Sequence, residues 1–178
     1  LPEIVAILGA GPLGRWLAHS AARAGFRVLL EDVLPANLHH AQEALRAVLG
    51  PEALPNVILV STIEEAVRTA GLVIDCVPDE LESKLEILWL MDRMAPPRTV
   101  FATLTTRLSI TDLANCTYRP EQCIAIVAEA KALTGQTGGE ILLRTTAQTA
   151  SETIALLGGF WRRLGFDPRI EQEMIGQS

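Results

Sequence analysis

"ILGAGPLGRWL", residues 7–17, joins an apolar run to a helical pattern through glycines at positions 9, 11 and 14. Glycines at that spacing, directly after a strand and opening a helix, form a turn that admits a pyrophosphate. Gly9 permits the tight turn, Gly11 lets the backbone approach the phosphates, and Gly14 lets helix and strand pack closely. The helix N-terminus then presents its positive dipole end to the anion. Pro12 falls at the first helical position, where its fixed φ suits the helix and its missing N–H has no helical acceptor. It removes one phosphate donor, worth roughly 1.5–3 kcal/mol against a charged acceptor. Leu13 N–H and the helix end remain, so the loop is expected to bind more weakly rather than not at all.

Working outward, strand-like runs alternate with helical patterns. "EIVAIL" (3–8) precedes the loop, and the helix after it runs to Gly25. "RVLLE" (27–31) is a second strand, followed by a helix from Pro35 to about Leu49. "NVILVS", "LVIDCV", "TVFATL" and "QCIAIVAE" supply the third to sixth strands, and "EILLRT" a candidate seventh. Between the fourth and fifth lies a long amphipathic helix with Leu81, Leu85, Leu88 and Met91 on one stripe. Thr149 with Glu152 reads as a capping box for the last helix, to about Leu164. Such alternation predicts an α/β fold: a Rossmann-type, doubly wound, mostly parallel sheet in three α/β/α layers. The whole chain, 1–178, reads as one NAD-binding domain, with 170–178 a frayed tail.

An acidic residue at the end of the second strand is needed to accept hydrogen bonds from a ribose. Asp32 stands there, and strand alternation sends its neighbour Glu31 to the other side. No Arg or Lys follows until Arg46, so nothing is placed to hold a 2′-phosphate and NAD is favoured over NADP.

Composition sets the outer bounds. The chain has 178 residues, enough for one domain with a proper core. Its net charge of -6, with scattered Lys and Arg, argues against a nucleic-acid surface. Cys76, Cys116 and Cys123 have no metal spacing, so reduced thiols, no metal site and a cytoplasmic location are expected. Apolar runs are only strand-length, and no basic region precedes the first residues, so neither a membrane span nor a signal peptide is expected.

With these segments in view, the chain resembles the NAD-binding domain of the 3-hydroxyacyl-CoA dehydrogenase family. "VAILGAGPLG", "LVIDCVPDELESK", "TLTTRLSITDLA" and "RPEQCIAI" carry the resemblance. It implies that Asp79 and Lys84 line the nicotinamide side of the cofactor, beside Val77 and Pro78. It also implies a catalytic His that moves the proton of the substrate hydroxyl, oriented by a Glu. Counted from Arg119-Pro120-Glu121, the His position is Val127, and the only histidines are His19, His39 and His40 on the first two helices. The family Asn and two Ser positions hold Leu104, Thr106 and Arg107, and a second Asn position holds Ala130. Glu140 matches the family Glu if one residue is inserted before it. Lys131, four residues beyond Val127, is a candidate replacement acid/base.

Family members continue into a helical domain that forms much of the acyl-CoA pocket and the dimer interface. This sequence reads as the NAD-binding domain without it. Leu156, Leu157, Phe160 and Trp161 then either form an apolar face for a homodimer or pack on the domain's own sheet. Three functions follow. The first is an NAD(H)-binding, catalytically impaired homologue. The second is an active oxidoreductase on an acyl-CoA or a small hydroxyacid, using Thr106, Lys131 or Glu140. The third is an interaction module without nucleotide.

Overall fold

The computed structural model describes residues 1–174. Eight strands form one sheet in the order β3-β2-β1-β4-β5-β6-β7-β8. β1 (Ile4–Leu8), β2 (Arg27–Glu31), β3 (Val57–Val60), β4 (Leu72–Asp75), β5 (Val100–Leu104) and β6 (Cys123–Val127) run parallel. β4 and β5 are buried throughout, as strands covered on both faces must be. β7 (Gly139–Thr145) is antiparallel to β6, and β8 (Phe166–Gln172) runs parallel to β7.

Helices α1 (Pro12–Arg23), α2 (Pro35–Val48) and α7 (Ser151–Arg163) cover one face around Leu17, Leu45, Leu157 and Trp161. Helices α3 (Ile63–Val67), α4 (Leu81–Met94) and α5 (Ile110–Asn115) cover the other around Ala66, Leu88, Met91 and Leu113. A short α6 (Ala130–Leu133) follows β6. The doubly wound, three-layer architecture is therefore present. Strand order reverses between β1 and β4, and a crevice opens there at the carboxyl ends of the strands.

The structure corrects several sequence expectations. The tail is not frayed from residue 170, because β8 pairs through Gln172 and Glu173 is also anchored. Residues 175–178 lie outside those described. The stripe of α4 begins at Lys84 rather than Leu81: Lys84, Ile87, Leu88 and Met91 are buried, while Leu81 is exposed. Thr149 does not cap α7. Its hydroxyl donates to the Cys123 carbonyl and accepts from the Thr146 amide, tying the turn before the helix to β6.

Leu157, Phe160 and Trp161 form no free apolar face. All three are fully buried, and Trp161 packs against Trp16, Phe160 and Phe166. The argument for a homodimer from that patch therefore lapses. Among the described residues, no helix is long and apolar enough to cross a membrane, and no group of three ligating side chains could hold a metal.

Candidate functional site

A cleft of about 920 Å³ lies over the strand ends. Gly9, Gly11, Pro12, Leu13 and Gly14 form its floor at the β1–α1 turn. Gly9 has φ +103°, a conformation that L side chains rarely adopt. A Cβ on Gly14 would stand 1.8 Å from the Gly9 carbonyl oxygen, so only glycine closes this turn. A Cβ on Gly11 would meet no atom within 4 Å, so its backbone borders open cleft. Gly11 caps α1 with Pro12 at the first helical position, and the first helical hydrogen bond runs from Arg15 N–H to Gly11 O. The amides of Leu13 and Gly14 thus precede the helical ladder, as expected of an anion-binding helix start.

Asp32 lies directly after β2 and is almost fully buried. Its Oδ2 accepts from Ala10 N–H at 2.9 Å and Asn37 Nδ2 at 3.0 Å, and its Oδ1 accepts from Leu34 N–H at 2.9 Å. The carboxylate thus clamps the glycine loop and faces the same cleft. The only cations that border the cleft, Arg107 and Lys131, come from the segments after β5 and β6, away from this end. Arg15 Nη1 donates to the Ala10 carbonyl at 3.1 Å, close to Asp32, but Arg15 does not border the cleft.

At the far end, Val77, Pro78 and Asp79 form the turn after β4 and line the cleft. Asp79 Oδ1 accepts from Thr105 Oγ1 at 2.5 Å, and Oδ2 from Thr106 N–H at 3.0 Å. Arg107 Nη2 donates to the Asp79 carbonyl at 2.7 Å. Burial works against the Asp79 charge, but Thr105, Thr106, Lys84 and Arg107 outweigh it and hold the carboxyl below its ordinary range. Asp79 is therefore a staple between two loops and a poor proton acceptor.

Lys84 does not line the cleft, which corrects its expected place at the nicotinamide side. It is fully buried, and its Nζ donates to Asp75 Oδ2 at 3.0 Å and the Val77 carbonyl at 3.1 Å. Asp75 also accepts from Thr103 Oγ1 at 2.7 Å and Val77 N–H at 2.9 Å. Burial pushes the Asp75 carboxyl upward against the pull of Lys84 and these hydrogen bonds. Together Lys84 and Asp75 fix the Val77–Asp79 turn from below.

Among the residues considered for proton transfer, Thr106 and Lys131 border the cleft. Glu140 does not: it starts β7 in solvent, with Arg169 at 3.7 Å. Val127 ends β6 half-buried, and Ala128 and Glu129 border the cleft beyond it. None of the three histidines borders the cleft. Cys76 does, but burial raises its thiol well above the ordinary value, so it is not an activated nucleophile.

Sequence reasoning missed Thr105, whose hydroxyl binds Asp79 and also accepts from Leu108 N–H at 3.0 Å. Its adjacency to Thr106 was the available signal. It also missed Glu31 as a cleft residue and Glu173 as an anchor for α5, both of which depend on contacts remote in sequence.

Strand order, the glycine loop and an acidic residue at the end of β2 facing the cleft together define an NAD-binding Rossmann domain. Residues 4–127 match the family model described as 3-hydroxyacyl-CoA dehydrogenase, NAD binding domain. The chain belongs to the 3-hydroxyacyl-CoA dehydrogenase family, of which it carries the NAD-binding domain. A probable 3-hydroxybutyryl-CoA dehydrogenase of Bacillus subtilis is 30% identical over 68% of this chain and 47% of its own length. An L-carnitine dehydrogenase of Burkholderia mallei is 34% identical over 98% of this chain and 56% of its own length. The chain thus spans about half the length of these relatives. A diketoreductase structure superimposes with a TM-score of 0.85 at 28% identity, covering 97% of this chain and 65% of that one.

Proposed function

We propose that this domain binds NAD(H) but does not carry out 3-hydroxyacyl-CoA dehydrogenation at a rate typical of its family. The observation that supports the reading is the composition of the cleft wall. It retains the glycine loop and Asp32, yet no histidine borders it and Val127 occupies the family His position. NAD, when bound, accepts or returns a hydride. The chain's own residues then have four tasks. Leu13 and Gly14 amides meet the pyrophosphate, and Asp32 accepts from the adenosine ribose. The Asp79–Thr105–Thr106 staple shapes the nicotinamide end, and the apolar wall around Leu104 and Ala128 excludes water.

What the wall lacks is the imidazole that would take the proton from a substrate hydroxyl. Thr106 has no base beside it except Asp79, which is held ionised by its donors and is correspondingly weak. An acyl-CoA or a small hydroxyacid that reached the cleft would therefore be bound and turned over slowly.

Lys131 supports a second reading, that of an active oxidoreductase with an altered acid/base. It borders the cleft and has no ion pair among the described residues. Acetoacetyl-CoA with NADH, and small 3-oxoacids with NADH, separate the two. No oxidation of bound NADH supports the first reading. Turnover that Lys131→Ala abolishes while NADH affinity is unchanged supports the second.

A further inference from the structure

Glu31 ends β2 one residue before Asp32 and borders the same cleft. Its backbone supports the glycine loop, since Gly9 N–H donates to the Glu31 carbonyl at 2.9 Å. Its side chain is 4% exposed, and Oε1 is buried with no hydrogen-bond partner. A buried carboxyl oxygen without a partner is costly, and in a cleft it marks a place where a ligand group can supply one.

The surroundings specify that group. Register places Glu31 beside Val60 of β3 and Leu8 of β1, with Asp75 of β4 next along the same row. Ile63 of α3, Val77 after β4 and Ile87 of α4 complete an apolar wall on this side of the cleft, and Val33 stands at its mouth. With the pyrophosphate at Gly11 and the ribose at Asp32, this is the compartment left for the base on that ribose. Its wall is largely apolar, with the Glu31 carboxyl set into it. Val and Ile side chains accept a purine face, and the Glu31 carboxyl, with an oxygen that has no partner, is placed to read its edge, whereas Asp32 is held by Ala10, Leu34 and Asn37.

We infer that Glu31 reads the adenine of the dinucleotide, its carboxyl pairing with the exocyclic amine and the adjacent ring nitrogen. Adenine presents that donor and acceptor side by side, and a protonated carboxyl presents their complement. Position 31 thereby adds base recognition to the ribose contact made by Asp32. The inference rests on the NAD reading of the cleft.

The charge environment agrees. Burial first, and the neighbouring Asp32 second, push the Glu31 carboxyl up to about 7. Leu8 and Val60 flank it on β1 and β3 and carry no charge. On α3, Glu64 and Glu65 face solvent. Asp75 and Lys84, from β4 and α4, lie beyond Leu8 and are paired with each other. Adenine affinity should therefore be highest where Glu31 is protonated and fall as pH rises through its titration.

The test measures dissociation constants of NADH and of reduced nicotinamide mononucleotide, which lacks the adenosine half. Wild type, Glu31→Gln and Glu31→Leu are compared at about pH 6 and about pH 8. Wild type should lose about tenfold in NADH affinity between the two pH values. Glu31→Gln, which keeps a donor and an acceptor at every pH, should show no such loss. Glu31→Leu should bind NADH about tenfold more weakly at the lower pH. All three proteins should bind the mononucleotide alike. NADH affinity unchanged in Glu31→Leu, or an equal loss for the mononucleotide, overturns the assignment while leaving the cofactor reading intact. Failure of wild type to bind NADH at either pH overturns both. Melting curves of the three proteins establish that each is folded.

Discussion

Two residues show most clearly how the loop combines shape with chemistry. Gly14 is fixed by space alone, because a methyl group there would overlap the Gly9 carbonyl. Gly14→Ala should therefore destabilise the domain by about 1–3 kcal/mol or more, read as the shift in urea midpoint. Asp32 is fixed by hydrogen bonds, since it holds Ala10, Leu34 and Asn37 as well as bordering the cleft. Asp32→Ala should weaken NADH about 10–100-fold, the loss of one or two charge-assisted bonds. Isothermal titration checks this, and an unchanged affinity would mean that the ribose lies elsewhere. Both residues were legible in the sequence, because motif spacing and strand ends determine them locally. Lys84 was not. The family resemblance implied a cofactor contact for it, but helical rotation turns it inward to Asp75, a partner that the pattern of α4 does not reveal.

Among elements, β1 to β6 and their helices follow from alternating apolar runs and helix patterns, so the sequence predicts them well. β8 escaped because "FDPRIEQ" is polar and contains Pro168, as suits an edge strand with one partner. Its end leads to Glu173, which accepts from Ser109 Oγ at 2.9 Å, Ile110 N–H at 3.2 Å and Thr111 N–H at 2.8 Å. A strand end from one terminus thus caps α5, more than sixty residues earlier. Burial opposes the Glu173 charge, but these donors prevail and lower its titration below 4.5. For a lowered carboxyl, the stabilisation is complete above the unfolded value and is lost as pH falls through the folded one. Glu173→Gln should therefore lower the melting temperature near neutrality and match wild type at the acid end. Thermal melts across that range check it. A constant difference at every pH would mean that the carboxylate charge contributes nothing.

For the whole molecule, the covered faces of the sheet and its open strand ends serve different purposes. The α1–α2–α7 face is closed by the aromatic cluster around Trp161 and is a packed core. The strand ends stay open across β2, β1, β4, β5 and β6, with the glycine loop and Asp32 at one end and the Asp79 staple at the other. Motif order anticipated the cleft at the strand ends, whereas side-chain burial at Glu31, Lys84 and Trp161 depends on how layers meet, and the sequence left the packing of Trp161 open. The proposed function joins a cleft that keeps the glycine loop and Asp32 to a reaction end with Val127 at the family's His position. Its most direct test is stopped-flow absorbance of NADH bound to this domain after mixing with acetoacetyl-CoA. The account predicts that the reduced-cofactor signal persists as in a control without the acyl-CoA. A decay that consumes the bound NADH, and that Lys131→Ala eliminates, would contradict it.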